Sequence, residues 1–263
     1  MENIISGKSV PVKNAERIIK EYGFSLPKKL DLELIANAEK IIVEETLLEN
    51  LLGKIIYNSD CGLIKINSNI KETGQKRFTL AHELGHYFNE FELRTNPFYR
   101  HADRYLTFNS SSRFEDDANE FAAELLMHRP WFNNFCKNKK INMELIKEIA
   151  LYFNVSLSAA AFRYTNIGKY PTAIIYSTNG VVKWKALHDY FPFKFIRHNS
   201  LVPKASAAYD FFNGREMQTC DDLIEAKYWF PEDRNIKTGI YLYEQNTAMP
   251  YYNSVLTLLW EDK

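Results

Sequence analysis

Apolar and polar residues follow two different spacings along the chain, and the change from one spacing to the other divides the sequence. Apolar residues that recur every three or four positions predict helices over residues 12–22, 31–38, 73–91, 113–127, 142–153 and 156–165. Short apolar runs bounded by turn residues predict strands over residues 40–44, 174–178, 181–185, 239–244 and 255–260, with a hairpin over residues 53–67. Helices and strands in this arrangement predict an α+β fold.

The predicted domain boundary lies near residue 168, where the character of the sequence changes. After residues 168–171, Asn179 and Gly180 separate two apolar runs, and this dipeptide favours a type I′ hairpin turn. We therefore predict a mostly helical α+β domain over residues 1–168 and a β-rich domain over residues 169–263.

Composition and charge exclude several classes of protein. Apolar residues make up 46% and charged residues 25% of the 263 residues, which is typical of globular proteins rather than of disordered chains. With 33 basic and 33 acidic residues, the chain has no net charge that would attract nucleic acid or an anionic membrane. No signal peptide or membrane-spanning run is expected, and the three widely spaced cysteines fit a reducing compartment, so the expected location is the cytoplasm.

The residues that carry chemistry are His82, Glu83 and His86, within the predicted helix over residues 73–91. Histidines four positions apart share one face of a helix, where both imidazoles can reach one tetrahedral Zn²⁺. Glu83 lies beside them and can take a proton from the attacking water. The alternative is that both histidines are ordinary helix residues. Gly85 argues against it, because a glycine inside a helix costs about 1 kcal/mol and suggests close approach by another backbone or a ligand.

A third zinc ligand is expected from the next predicted helix. The three-histidine extension of the motif is excluded, because Asn89 and Glu92 occupy the positions of its glycine and its third histidine. Glu115 and Asn119 lie one helical turn apart, which suits a carboxylate ligand steadied by a neighbouring amide. Glu115 also fits the third position of a capping box that begins at Ser112, so spacing alone leaves ligand and cap as equal alternatives.

Two motifs in this order resemble those of the ImmA/IrrE family of bacterial and phage zinc metallopeptidases. The first is residues 77–86, Arg-Phe-Thr-Leu-Ala-His-Glu-Leu-Gly-His, and the second runs from Glu115 to Met127. The family usually continues with a proline directly after this methionine, whereas here two residues precede Pro130. The resemblance covers residues 25–130 well and the next two predicted helices more loosely, and longer members carry a C-terminal β-rich region.

The resemblance implies a zincin-like helical metallopeptidase core with a small sheet or hairpin, followed by a β-rich C-terminal domain. The role of that domain stays open between sensing a signal, holding a substrate protein and forming an oligomer. It implies Zn²⁺ on His82, His86 and Glu115, with Glu83 as the general base. Characterised members relieve repression by cutting a helix-turn-helix repressor. The implied function is a regulatory, zinc-dependent, site-specific endopeptidase that cuts a helix-turn-helix repressor or an antitoxin-like partner. No pattern identifies the cleavage sequence or the oligomeric state.

Two alternative functions remain open. Residues 144–167 resemble a helix-turn-helix, which would make the protein a DNA-binding regulator. The second helix of that segment holds only one basic residue, Arg163, and base and phosphate contacts need more, so direct nucleic-acid binding is not expected. The other alternative is a zinc-containing regulator that binds a partner without cutting it; the intact set of His82, Glu83 and His86 argues against a dead site.

Three further features have both a functional and a structural interpretation. Tyr99, His101 and Tyr105 lie between the two ligand helices and could stabilise an oxyanion, but packing in a loop is the favoured interpretation. The hairpin over residues 53–67 could pair its edge with an extended substrate or merely pack on a helix. The aromatic residues of the β-rich domain suit a binding pocket or a core, and the core is favoured.

Overall fold

The fold was analysed in a computed structural model that describes residues 8–58, 60–89, 112–217 and 222–261. These residues form two compact units. The first unit contains the chain up to residue 135 together with residues 150–156, and the second contains residues 136–149 together with the chain from residue 157 onward. The predicted boundary at residue 168 stays a prediction.

Helices form most of the first part of the chain. They are α1 (Val10–Glu21), α2 (Leu32–Ala38), α3 (Thr73–Asn89), α4 (Ser112–Leu126), α5 (Arg129–Cys136), α6 (Met143–Phe153) and α7 (Leu157–Ile167). The Asp31 carboxylate accepts a hydrogen bond from the Leu34 amide at 3.0 Å and so caps α2, as the sequence predicts. Helix α5 was not predicted. Pro130 was expected only to stop the preceding helix, but proline is also favoured in a first helical turn, and α5 begins at Arg129.

A three-stranded sheet completes the first unit. Its strands are β1 (Ile41–Thr46), β2 (Gly53–Tyr57) and β3 (Gly62–Asn67), in the order β1-β3-β2. Strands β2 and β3 form the predicted antiparallel hairpin, and β1 pairs with β3 in parallel, which was not predicted. Residues 53, 55 and 57 are half-buried while residues 54 and 56 are exposed, so β2 turns one face inward. Strand β2 is therefore an edge strand that packs on α3.

The second unit is built on a five-stranded antiparallel sheet. Its strands are β4 (Thr172–Thr178), β5 (Val181–Leu187), β6 (Asp222–Glu225), β7 (Tyr241–Met249) and β8 (Ser254–Trp260), in the order β5-β4-β8-β7-β6. A short helix, α8 (Ala207–Phe212), packs on β7 and β8. Asn179 and Gly180 both have positive φ, 51° and 74°, as the predicted type I′ turn requires. Together with the helical first unit, this sheet confirms the predicted α+β class.

Several aromatic residues of the β-rich part form a core. Phe191, Phe193, Trp229 and Phe230 are almost completely buried in one cluster, whereas Tyr190 lies on the surface. The favoured interpretation of these aromatic residues as a core is thus confirmed for the buried cluster.

A buried carboxylate, Glu244, lies beside this core. It accepts hydrogen bonds from the Trp229 indole at 2.6 Å, the Ser206 hydroxyl at 2.7 Å, the Asn246 amide at 2.6 Å and the Ala207 amide at 3.2 Å. Burial raises the pKa of Glu244, and the four donors lower it without cancelling the effect of burial.

In the described part of the chain, no single helix is long and apolar enough to cross a membrane. The consecutive helices α6 and α7 meet the length and composition criteria only when taken together, as a bent pair.

Candidate metal centre

Helices α3 and α4 carry the predicted site residues and pack directly on each other. Their contact is close because Gly85 of α3 faces the backbone of α4. A Cβ atom on Gly85 would lie 2.9 Å from the Ala118 carbonyl oxygen and 3.0 Å from the Ala118 Cα. The expectation that Gly85 marks the close approach of another backbone is confirmed. This approach brings the first turns of α4 alongside the two histidines of α3.

The structure brings His82, His86 and Glu115 together. The two Nε2 atoms of the histidines lie 3.1 Å apart. The Glu115 carboxylate oxygens lie 3.2 Å from Nε2 of His82 and 3.5 Å from Nε2 of His86. These three residues form one of the described clusters whose donor atoms could share a metal ion.

The spacing of these donor atoms fits tetrahedral zinc. Ligands that bind Zn²⁺ at about 2.0–2.1 Å in a tetrahedron are separated from each other by about 3.3 Å. The two Nε2 atoms are 3.1 Å apart, and Glu115 places Oε2 3.2 Å from His82 and Oε1 3.5 Å from His86, so each separation is close to that value. Two imidazoles and a carboxylate are also a donor set that zinc uses in catalytic sites.

Asn119 orients one of the histidines. Its Oδ1 lies 2.9 Å from Nδ1 of His82, and because an amide oxygen only accepts, Nδ1 must carry the proton. The lone pair of His82 is then on Nε2, the atom that faces His86 and Glu115. The sequence had placed Asn119 beside Glu115, one turn away on the same helix. The structure instead directs Asn119 across the helix pair to His82.

Burial keeps His86 neutral. Only 7% of His86 is exposed, and burial, followed by the neighbouring His82, lowers the pKa of His86 to about 4, although the Glu115 carboxylate acts in the opposite direction. A neutral imidazole is the form that binds a metal ion. His86 therefore needs no deprotonation step at neutral pH before it can act as a ligand.

Glu83 is the most perturbed acid in the centre. It is 6% exposed, and burial first, then the Glu115 carboxylate, raises the pKa of Glu83 to about 8. The backbone N–H of Ile55 in β2 donates a hydrogen bond to the carboxylate and moves the pKa in the other direction. A divalent cation held by His82, His86 and Glu115 would favour the ionised form of Glu83.

The contact of β2 residues with Glu83 could not be predicted from local sequence patterns, because it depends on how the sheet packs on α3. A Cβ atom at Gly53 would lie 2.7 Å from Oε1 of Glu83 and 2.6 Å from Cγ2 of Thr79. The residues considered as oxyanion helpers, Tyr99, His101 and Tyr105, lie outside the described residues. The side chain of Ser112, on which the capping-box alternative for Glu115 depends, also lies outside them.

A second cluster of possible ligands, Glu16, Glu124 and His128, has a structural explanation. Glu124 accepts hydrogen bonds from the Nδ1 atom of His128 at 2.8 Å and from the Arg129 amide at 3.0 Å. The second bond satisfies a free backbone amide at the start of α5. The two residues that precede Pro130, His128 and Arg129, are thus both held by the Glu124 carboxylate.

The chain is similar in sequence or in fold to known proteins. Residues 41–165 match the IrrE N-terminal-like domain family, Peptidase_M78. The chain is 26% identical over 187 residues to the metallopeptidase ImmA of Bacillus subtilis (strain 168), an alignment that covers 66% of this chain and 95% of ImmA. Its fold is similar to that of a solved Mycobacterium tuberculosis transcriptional regulator, with a TM-score of 0.57 and 13% identity over 95% of this chain and 75% of that one. Over residues 41–165 the chain is therefore similar to the ImmA/IrrE family of metallopeptidases.

Proposed function

We propose that this protein is a zinc-dependent, site-specific endopeptidase in which His82, His86 and Glu115 hold the metal and Glu83 is the general base. The observation that carries the proposal is the cluster of donor atoms on two helices that a glycine allows to approach closely: the two Nε2 atoms lie 3.1 Å apart, Oε2 of Glu115 lies 3.2 Å from His82, and Oε1 of Glu115 lies 3.5 Å from His86. Similarity to the ImmA/IrrE family supports the hydrolytic role.

The mechanism divides between the metal and the side chains around it. When bound, Zn²⁺ supplies Lewis-acid chemistry that activates water and polarises a carbonyl group. Glu83 accepts a proton from the attacking water at its carboxylate and passes that proton to the leaving amine. Asn119 holds His82 in the tautomer that presents Nε2, and burial holds His86 neutral. The same burial excludes bulk water from around Glu83.

The outer edge of β2, whose Ile55 amide already donates to the Glu83 carboxylate, is the proposed binding surface for an extended substrate. Hydrogen bonds join the backbones of residue pairs 52/67 and 58/61. Because such pairs alternate along an antiparallel ladder, the amides of residues 53, 55 and 57 point away from β3. A substrate segment can add to this edge as a further strand and so cross the metal centre.

The proposed substrate is a helix-turn-helix repressor or an antitoxin-like protein, cut in the cytoplasm as part of a regulatory response. This choice follows the family resemblance, and the relative named metallopeptidase ImmA supports a peptidase role. The β-rich second part of the chain is proposed to sense the signal or to hold the substrate.

Cleavage is tested by incubating the zinc-loaded protein with the helix-turn-helix protein encoded beside it, followed by mass spectrometry of the fragments. We expect wild type to cut at one bond and Glu83→Gln to bind zinc without cutting. Glu120→Gln makes the same chemical change on an exposed position of α4 and serves as the matched control. If Glu83→Gln relieves repression as well as wild type does, proteolysis is not the function and the protein acts by binding a partner.

DNA binding by the helix-turn-helix-like segment has little support from the structure. Arg163, the single basic residue of α7, is 5% exposed, and the exposed positions of that helix include Phe162 and Asn166. A helix that reads DNA needs exposed donors and positive charge for bases and phosphates. The name of the Mycobacterium tuberculosis relative does not change this conclusion, because similarity at 13% identity shows the fold alone.

A further inference from the structure

Strand β2 touches the general base through its backbone rather than through a side chain. The outward amide of Ile55 donates a hydrogen bond to the Glu83 carboxylate. Two residues earlier, Gly53 lies so close to Glu83 that a Cβ atom there would be 2.7 Å from Oε1 and 3.1 Å from Cγ of that side chain. Both contacts come from alternate residues, Gly53 and Ile55, on the same half-buried face of one edge strand.

The space beside Gly53 is closed on a second side. The same Cβ atom would lie 2.6 Å from Cγ2 of Thr79, one turn before Glu83 on α3. Thr79 cannot easily turn away, because it is buried and its hydroxyl donates a hydrogen bond to the Gln75 carbonyl at 3.0 Å. A Cβ atom could therefore be accommodated only if Glu83 moved, if Thr79 moved, or if β2 shifted away from α3.

We propose that Gly53 is a positioning residue for Glu83: its missing side chain lets the backbone of β2 hold the carboxylate at the site of proton transfer. The proposal rests on the proposed peptidase function. Gly53 contributes no group to the reaction. Its effect passes through Glu83, whose carboxylate must stay within hydrogen-bond reach of the proton that it takes.

The first variant is Gly53→Ala, compared with wild type in steady-state cleavage of the repressor substrate. A catalytic group misplaced by about 1 Å can cost about 100-fold in rate, so we expect kcat to fall by that order while KM changes by less than about threefold. Zinc affinity, measured by chelator competition, should stay within about threefold of wild type, because Gly53 contacts no proposed ligand. A crystal structure of the zinc-loaded variant should show the Glu83 carboxylate displaced.

Gly62→Ala is the matched control in the same small sheet. A Cβ atom at Gly62 would meet only apolar side-chain atoms, Cγ1 of Ile41 at 3.1 Å and Cβ of Tyr57 at 3.4 Å. It adds the same methyl group to a neighbouring strand without touching Glu83. We expect Gly62→Ala to keep the wild-type kcat, and an equal loss in both alanine variants would overturn the proposal as a general weakening of the sheet.

A double variant separates Glu83 from Thr79. Thr79→Ser removes the Cγ2 atom that the new methyl group would strike and keeps the hydroxyl bonded to Gln75. In the Gly53→Ala, Thr79→Ser protein we expect thermal stability to recover while kcat stays at least about tenfold below that of Thr79→Ser alone. Full recovery of kcat would overturn the proposal, because the defect would then come from packing against Thr79.

The outcomes for the two proposals are distinct. If zinc-loaded wild type cuts no substrate, the proposed peptidase function fails. If wild type cuts and Gly53→Ala cuts with the same kcat, the peptidase function stands and the positioning role of Gly53 is wrong.

Discussion

The contact between Gly85 and α4 can be tested by the smallest possible change, Gly85→Ala. The new Cβ atom would lie 2.9 Å from the Ala118 carbonyl oxygen, 3.0 Å from its Cα and 3.2 Å from Cδ1 of Phe121. Two of these three atoms belong to the backbone of α4, which cannot swing aside as the end of a side chain can. Relief of the closest contact to an ordinary 3.4 Å requires the helices to separate locally by about 0.5 Å.

Two effects of opposite sign decide the stability of this variant. Alanine is favoured over glycine inside a helix by about 1 kcal/mol. Forcing a methyl group into a packed interface costs about 1–3 kcal/mol. Because the obstructing atoms are backbone, the upper part of that range applies, and we expect the free energy of unfolding to fall by about 1–2 kcal/mol.

The same separation should weaken zinc binding. Metal–ligand distances tolerate about 0.2 Å, which is less than half of the movement that the new methyl group requires. Since Gly85 lies between the two histidines of α3 and presses on α4, the movement acts directly on the distance from Glu115 to His82 and His86. We expect zinc affinity to fall at least about tenfold, as it does when the support of a ligand is lost.

Gly74→Ala is the matched control on the same helix. Its Cβ atom would also meet backbone, the carbonyl carbon of Val155 at 2.5 Å, but eleven residues before Gly85 along α3. Unfolding in urea should show a loss of stability in both variants, whereas chelator competition should show weakened zinc binding only in Gly85→Ala. A Gly85→Ala protein that is more stable than wild type and binds zinc equally well would refute the close contact.

Three further predictions test the centre and the second unit. Glu115→Ala should lower zinc affinity, measured by chelator competition, by more than about 100-fold, while Glu120→Ala on the exposed face of α4 should leave it unchanged. Asn119→Ala should lower it by about 10–100-fold, because His82 loses the acceptor that fixes its tautomer. Burial raises the pKa of Glu244 in the folded state, so the unfolded chain loses this proton first as pH rises. The difference in free energy of urea unfolding between wild type and Glu244→Gln should therefore fall from about pH 4 upward and level off above the folded pKa of Glu244, whereas the contribution of Glu83 is common to both proteins.

The parts of the fold that could be predicted from the sequence are those set by local spacing. Apolar periodicity locates α3 and α4, Asp31 marks the start of α2, and the Asn179-Gly180 pair marks the turn between β4 and β5. In each case neighbouring residues alone determine the backbone conformation. Helix α5 was missed for the opposite reason: Pro130 both ends one helical pattern and suits the first turn of the next, so the sequence around it permits two outcomes.

The unpredicted features depend on contacts between residues distant in sequence. The parallel pairing of β1 with β3 and the position of β2 over Glu83 follow from packing rather than from any local pattern. Asn119 is an example. Its spacing along α4 predicted that it would support Glu115, but the packing of α3 on α4 places its side chain against the imidazole of His82. A pattern on one helix gives the face on which a side chain lies and not the residue that it meets across the interface.

Two glycines beside the candidate centre act on different parts of the proposed site, Gly85 on the ligands and Gly53 on the general base. Gly85 lies on the helix and admits the backbone of α4, which delivers Glu115 to the histidines, while Gly53 lies on the strand and leaves room for Glu83. At Gly85, the missing side chain leaves room on α3 for the backbone of α4. At Gly53, the missing side chain leaves room on β2 for the large side chain of Glu83 on α3. A methyl group at Gly85 therefore disturbs the ligand distances, and one at Gly53 disturbs the proton acceptor. Because the two methyl groups contact different atoms, the double variant should show both losses, the weaker zinc binding of Gly85→Ala and the lower kcat of Gly53→Ala, and neither change should offset the other.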